Sequence, residues 1–227
     1  MPHSDHPRVF FLHLPKCAGM TLHAVIERQY EPEEIYTVPS VSWNDRNYQA
    51  LCDEWNQERK ARLRIVKGHM AYGWHKAFGG EPYEYITLLR HPIERVLSLY
   101  SFINDWHTDY LFKQEGLGVF IRRAVEAHND MTFWLSGGIG RGARAFIKAW
   151  HVLTQEICLV GTVETFDQTV DALAKRYGWE VTNYERQNVT PERRRDLSPR
   201  DARALLQRNQ YDLMLYAYAM RHSNDGL

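Results

Sequence analysis

Short apolar runs alternate with amphipathic stretches along most of the chain. Residues 8–14 (RVFFLHL) are nearly continuously apolar and rich in β-forming residues, and the runs 63–69 (LRIVKGH), 83–90 (YEYITLLR) and 156–164 (EICLVGTVE) each have an apolar centre. Such runs are typical of parallel strands covered on both faces. We therefore predict four strands of one buried sheet.

Helices are predicted where apolar residues recur every three or four positions. One predicted helix starts at Gly19, one spans 43–62, one starts at Pro92, and one spans 165–178 with Gly178 as its C-cap. Residues 198–222 predict one or two helices, with Ser198 as the N-cap of the first and Pro199 in its first turn. The pattern from about residue 105 to residue 153 predicts several shorter helices separated by glycine-rich breaks. We therefore expect a mostly helical insertion there.

Alternating strands and helices predict an α/β fold in three layers, with a central parallel sheet flanked by helices. In such sheets ligands bind at the carboxyl ends of the strands. Lys16, His69 and Arg90 each fall at or just past a predicted strand end. These three residues are therefore the first candidates for a functional site.

The composition limits the possible partners and compartment. The 227 residues contain 28 Lys and Arg against 28 Asp and Glu, so no overall charge attracts nucleic acid or an anionic membrane. The three cysteines, Cys17, Cys52 and Cys158, are widely spaced and odd in number, which fits a reducing compartment better than a disulfide framework or a metal site. With no signal peptide or membrane-spanning run in the sequence, we expect a cytoplasmic protein without membrane insertion.

The segment HLPKCAGMTL, residues 13–22, joins the first predicted strand to the first predicted helix. A short loop of this kind directs backbone N–H groups and the positive end of the helix dipole toward one point, which favours an anion there. Lys16 could add a positive charge and Thr21 a hydroxyl donor. The segment lacks the G-x-x-x-x-G-K-[ST] pattern, which weakens a kinase or ATPase interpretation. Taken alone, it could also be an ordinary surface loop.

Two segments together carry a family resemblance. HLPKCAGMTL (13–22) and LLRHPIERVLSLY (88–100) closely resemble the two cofactor signatures of sulfotransferases that use 3′-phosphoadenosine 5′-phosphosulfate (PAPS), roughly H-x-P-K-x-x-G-T-T-L and R-x-P-x-x-R-x-x-S-x-Y. KGHMAY (67–72) and LVGTVETFD (159–167) are similar to the carbohydrate branch, particularly heparan sulfate 2-O-sulfotransferase and its bacterial relatives. The resemblance implies a three-layer P-loop-like fold and a single sulfotransferase domain over residues 1–227.

The resemblance also implies roles for individual residues. The segment that would surround the 5′-phosphosulfate consists of Lys16, Cys17, Ala18, Gly19, Met20, Thr21 and Leu22. Arg90, with its planar guanidinium, and Ser98 would hold the 3′-phosphate, although a surface charge and a helix-packing residue are the alternatives. Cys17 and Met20 depart from the family pattern, and the missing hydroxyl at Met20 could weaken sulfonate binding. Arg95 is expected to pair with an acidic residue or to orient the loop.

For the chemistry, the resemblance implies direct in-line transfer, with Lys16 stabilising the charge on the leaving phosphate. We expect His69 to be the base, because histidine titrates near neutral pH and His69 matches the second histidine of H-G-H in the 2-O-sulfotransferase, where Lys67 replaces the first. A structural histidine bonded to a loop carbonyl is the alternative. A lowered thiol pKa could instead make Cys17 a nucleophile. His13 is expected to be structural.

The predicted function is therefore transfer of the sulfuryl group from PAPS to an acceptor hydroxyl, expected on a carbohydrate, with 3′,5′-adenosine bisphosphate as the product. The expected partner is a hydroxyl-bearing glycan or small molecule. No metal is required by this reaction. A nucleotide phosphotransferase and a non-catalytic module that binds adenosine bisphosphate are the alternatives. The polar segment 183–196 could close over the cofactor, with Arg186 or Asn188 reaching the nucleotide, or could be a solvated charge run.

Overall fold

The structure, a computed structural model, describes residues 7–38, 57–78, 82–106, 110–181, 183–185 and 197–223. Within these residues one parallel sheet is formed by β1 (Arg8–Leu12), β2 (Ile35–Val38), β3 (Ile65–Gly68), β4 (Tyr83–Leu89) and β5 (Ile157–Thr162). The strand order is β2-β3-β1-β4-β5. Four of these strands were predicted from apolar runs. The short β2 was not.

Helices flank this sheet and fill the connections between its strands. They are α1 (Gly19–Glu27), α2 (Gln57–Arg62), α3 (Pro92–Trp106), α4 (Leu117–Arg123), α5 (Asp130–Leu135), α6 (Ala143–His151), α7 (Phe166–Tyr177), α8 (Pro199–Arg208) and α9 (Gln210–His222). Short 3₁₀ turns at Pro32–Glu34, Trp74–Phe78 and Val125–Ala127 and a π-helical turn at Val152–Glu156 complete the described elements. The predicted α/β architecture is confirmed.

Several local signals in the sequence correspond to observed helix ends. Pro92 opens α3, and Gly178 ends α7 in the left-handed conformation with φ 68°. Ser198 caps α8 by accepting a hydrogen bond from the backbone N–H of Asp201, and Pro199 occupies its first turn. The predicted helix over 43–62 lies mostly outside the described residues, and its last part is the short helix α2.

The helical insertion between β4 and β5 is confirmed by α4, α5 and α6. The main core is built on the sheet, with Phe10, Phe11 and Ile65 almost wholly buried. A second, smaller cluster packs inside the helical part around Val96 and Phe120. The insertion is thus a packed part of the molecule and can hold side chains beside the sheet in fixed positions.

Candidate active site

Three loops meet at the carboxyl edge of the sheet. β1 lies between β3 and β4, so the segments that follow Leu12, Gly68 and Leu89 are neighbours. These segments carry Lys16, His69 and Arg90, and the guanidinium of Arg90 donates a hydrogen bond to the backbone carbonyl of Lys16 at 3.3 Å. The side chains singled out from sequence therefore lie in one region.

The loop between β1 and α1 has a constrained backbone. Lys16 and Ala18 both adopt the left-handed conformation, with φ of 68° and 58°, which is uncommon for residues other than glycine. No side chain caps α1, and its first turn contains no acidic residue. The first N–H groups of a helix have no partner within it, so this end of α1 is suited to bind an anion.

Gly19 is required here because of His13. A Cβ atom at position 19 would lie 1.9 Å from Cδ2 of the His13 ring, far inside any allowed contact. The close contact described at Gly19 is therefore with an imidazole. His13 is 5% exposed and packs under the loop, as expected for a structural residue.

The charges described at the loop are positive. Within the described residues no carboxylate forms an ion pair with Lys16 or Arg90. The Lys16 ammonium instead lies 4.0 Å from the centre of the Phe102 ring. Burial, and then the charge of Arg90, lower the pKa of Lys16. Two adjacent cations beside uncapped helix N–H groups fit a multiply charged phosphate and sulfate ligand.

The other residues predicted to bind the cofactor differ in their exposure to solvent. Met20 is 46% exposed, whereas Thr21, Leu22 and Ser98 are buried. Cys17 is completely buried, and burial raises the pKa of its thiol to about 12. A thiol with this pKa is not an activated nucleophile. The hypothesis of a nucleophilic Cys17 is therefore wrong, because burial outweighs the nearby arginines.

His69 is held by one hydrogen bond in a defined orientation. Its Nδ1 lies 2.7 Å from the carbonyl oxygen of His13, and the two rings stack with centres 4.2 Å apart. A carbonyl can only accept, so the proton must be on Nδ1 and neutral His69 has its lone pair on Nε2. Burial lowers the pKa of His69 below 6.5, which favours this neutral form.

An ionic network that sequence reasoning missed lies beside His69. Asp130, the first residue of α5, pairs with Arg95 at 3.3 Å and with Arg141 at 2.6 Å. Its carboxylate also accepts a hydrogen bond from the indole of Trp134, whose ring centre is 6.3 Å from that of His69. The charge of Asp130 acts to raise the pKa of His69, against the effect of burial. The expected pairing of Arg95 with an acid is confirmed.

The signal for this network in the sequence was local and weak. Asn129 and Asp130 precede the apolar run of α5, which is a helix-start pattern, but nothing in that pattern predicts contacts with Arg95 or Arg141.

The predicted contacts of Arg186 and Asn188 lie outside the described residues. Within the described residues no group of three potential metal ligands is found. No described helix is both long and apolar enough to span a bilayer.

The protein thus has an α/β fold with two cationic loops at one edge of a parallel sheet. The chain belongs to the sulfotransferase family: a family model described as "Sulfotransferase family" matches residues 3–135. The family predicted from the two motifs is thereby confirmed, and the protein is a sulfotransferase.

A solved structure shares the fold. The chain is similar to a mouse sulfotransferase, SULT7A1, which was crystallised in complex with PAP. The TM-score is 0.53 and the sequence identity 16%, over 96% of this chain and 85% of the mouse chain. No curated protein matches this chain in sequence.

Proposed function

We propose that this sulfotransferase moves the sulfuryl group from PAPS to a carbohydrate hydroxyl, with Lys16 and Arg90 binding the nucleotide and His69 acting as the base. Family membership supplies the reaction class and the co-substrate. One observation carries the assignment of residues: the loops after β1, β3 and β4 bring Lys16, His69 and Arg90 to the same edge of the sheet.

The binding roles follow from the charge and the shape of each group. PAPS supplies the activated sulfuryl group. The ammonium of Lys16 is suited to stabilise negative charge that grows on the leaving phosphate, which lowers the barrier more than it tightens ground-state binding. The N–H groups of the first α1 turn, from Gly19 to Thr21, would hold the 5′ end. Arg90 would hold the 3′-phosphate through two parallel N–H donors, with Ser98 on α3 beside it.

The proposed base is in the correct protonation state near neutral pH. The lowered pKa of His69 leaves it neutral, and the bond from Nδ1 to the His13 carbonyl leaves Nε2 free to take the proton of the acceptor hydroxyl. After this transfer the imidazolium would be stabilised by the charge of Asp130. A single histidine can therefore be neutral at rest and still accept a proton during the reaction.

The carbohydrate acceptor rests on the resemblance of residues 67–72 and 159–167 to the carbohydrate branch. A partly exposed aromatic ring near His69 supports it. The ring centre of Phe133 lies 5.6 Å from that of Trp134, and the Trp134 ring centre lies 6.3 Å from that of His69. Aromatic surfaces next to a few polar groups are common in sites that bind small polar molecules. Phe133 is the proposed acceptor-contacting ring.

Calorimetry tests the binding part of this proposal. We expect the wild-type protein to bind 3′,5′-adenosine bisphosphate much more tightly than adenosine 5′-monophosphate. Arg90→Ala removes a charge-assisted contact worth about 1.5–3 kcal/mol and should weaken binding of the bisphosphate roughly 10- to 150-fold. The monophosphate should bind the wild type and Arg90→Ala equally. Arg90→Lys, which keeps the charge but not the fork, should fall between them.

The acceptor class is tested with PAPS and a panel of polysaccharides, oligosaccharides and phenols, with mass spectrometry as the readout. Sulfated sugar with no sulfated phenol is the expected result. Sulfation of phenols alone would overturn the carbohydrate assignment. Equal affinity for the two adenosine nucleotides would overturn the role of Arg90.

A further inference from the structure

A buried lysine that the reaction does not use lies behind the site. Lys67 is on β3 and has no solvent exposure. Its ammonium donates to the Glu27 carboxylate at 2.6 Å and to Nδ1 of His23 at 3.0 Å. An ammonium has no acceptor, so His23 must accept at Nδ1 and carry its proton on Nε2. Lys67 therefore fixes both the tautomer and the ring orientation of His23.

The rings of His23, His13 and His69 form a column that ends at the proposed base, His69. The ring centres of His23 and His13 are 4.8 Å apart, and those of His13 and His69 are 4.2 Å apart. The carbonyl of His13 accepts the hydrogen bond from His69, and the His13 ring occupies the space that a side chain at Gly19 would need. A rotation of the His23 ring would therefore shift the His13 ring, on which the ring of His69 stacks.

The column is held in its neutral form by its surroundings. The charged and titratable groups that act on it are Lys67, Glu27, Lys16 and Asp130 together with the three imidazoles themselves. Burial, with the charge of Lys67 acting in the same direction, lowers the pKa of His13 well below its usual value and that of His23 to about 3. The charge of Asp130 favours protonation at His69. A proton taken up by the column therefore stays at His69.

We propose that Lys67 is a positioning residue: through its bond to His23 it orients the column of imidazoles so that His69 presents Nε2 to the acceptor. This inference rests on the proposed role of His69 as the base. Lys67 itself contacts neither the acceptor nor the nucleotide, because it is wholly buried between β3 and α1. Its substitution should therefore change turnover and leave binding of the nucleotide intact.

The test uses Lys67→Met, which keeps an unbranched side chain of similar length and removes both the donor and the charge. Displacement of the base should lower kcat about 10- to 100-fold. The KM for PAPS and the affinity for 3′,5′-adenosine bisphosphate should change less than about twofold, since Lys16 and Arg90 are untouched. The midpoints of the His13 and His23 titrations, followed by NMR of the ring protons, should move to higher pH.

Two further variants separate the possible causes. Glu27→Gln is the matched control: it removes the carboxylate, which is largely exposed, and leaves the Lys67 to His23 bond, so kcat should stay near that of the wild type. Lys67→Gln keeps a hydrogen-bond donor for Nδ1 of His23 without the charge. It should recover most of the kcat lost in Lys67→Met if orientation is what Lys67 supplies.

Wild-type kcat and unshifted histidine titrations in Lys67→Met would overturn the proposal. A lower kcat with unshifted titrations would also contradict it, because the effect would not pass through the imidazoles. The titrations do not depend on turnover. A wild-type protein that sulfates no acceptor would therefore refute the proposed function, while the comparison of Lys67→Met with wild type by NMR would still test the link between Lys67 and the column.

Discussion

The hydrogen bond from His69 to the His13 carbonyl is what a structural histidine would make, and it is also what a base with a fixed tautomer needs. Geometry alone does not separate these two roles, since both use the same Nδ1–H donor. They differ at Nε2. Only the base requires a lone pair there, whereas a structural donor could be replaced by another side chain with an N–H group.

His69→Asn provides this separation, because the asparagine amide can donate to the same carbonyl but cannot act as a base near neutral pH. Loss of general base catalysis typically costs 10²–10⁴-fold in rate. We expect both His69→Asn and His69→Ala to lower kcat by roughly this factor, measured as sulfate transfer from PAPS. Affinity for 3′,5′-adenosine bisphosphate should be unchanged in both. Wild-type turnover in His69→Asn would show that His69 is structural.

The contact between Gly19 and His13 gives a second prediction for single residues. Gly19→Ala places a methyl group 1.9 Å from Cδ2 of the His13 ring, and overpacking of this kind costs about 1–3 kcal/mol. The free energy of unfolding, measured with urea, should fall by this amount. In a double-mutant cycle with His13→Ala the two effects should not add, because the smaller side chain makes room for the methyl group. Strict additivity would mean that the loop avoids His13 by another movement.

At the level of elements, the short helix α5 is held by a residue from the tail of the chain. The buried carboxylate of Asp212 on α9 accepts hydrogen bonds from the backbone N–H groups of Met131 and Thr132 at 2.9 and 2.8 Å, and from the Thr132 hydroxyl at 2.7 Å. These are first-turn donors that the helix itself cannot satisfy. Helix α5 also carries Asp130, which lies beside the proposed base His69. Asp212 on α9 therefore holds in place a helix next to the proposed site.

Asp212→Ala should therefore affect both stability and activity. It leaves buried N–H and O–H donors without a partner, which costs about 1–3 kcal/mol for each group, so we expect a loss of several kcal/mol in urea unfolding. Turnover should fall as well, because Asp130 and Trp134 would lose their fixed positions. Asp212→Asn keeps one acceptor oxygen and should lose less. Equal stability of Asp212→Ala and the wild type would show that α5 does not depend on this cap.

The elements that the sequence predicts well are those with a strong local signal. The strands around Phe10, Ile65 and Ile86 are runs of apolar residues buried on both faces, and that burial is what the pattern reports. β2 was missed because its four residues include a threonine that is exposed at the edge of the sheet. The cap of α5 by Asp212 was missed because it joins residues about 80 positions apart, and no local pattern encodes such a contact.

At the level of the whole molecule, the same reasoning explains which parts of the site were predictable. Lys16, His69 and Arg90 could be located because the carboxyl ends of parallel strands share one edge. That argument uses topology alone and needs no side-chain detail. The proximity of Asp130 to His69 and the burial of Cys17 depend on how the helical insertion packs. Packing of that kind is set by many weak contacts between residues distant in sequence, which no local pattern encodes.

The buried imidazoles also determine how the stability of the whole protein depends on pH. His13 and His23 are 5% and 9% exposed, and burial lowers the pKa of both below the usual 6.5, to about 3 for His23. Below pH 6.5 the unfolded chain binds protons that the folded protein does not, so stability rises with pH in this range. The stabilisation is therefore fully present above the unfolded pKa and is lost as the pH falls through 6.5 toward the folded value.

We expect the free energy of unfolding in urea, and with it the midpoint, to be constant above about pH 7.5 and to fall between about pH 6.5 and pH 5. The free energy should fall by up to about 1.4 kcal/mol per pH unit for each histidine that stays neutral. Glu84, whose pKa is lowered from 4.5 by Arg176 and Tyr177 against the effect of burial, loses its contribution only at lower pH and does not enter this interval. His23→Gln removes one titrating group, so its stability should fall less steeply over the same interval. A midpoint that does not change between pH 7.5 and pH 5 would contradict burial of neutral imidazoles, whereas equal slopes in the two proteins would exclude His23 as a source of the effect.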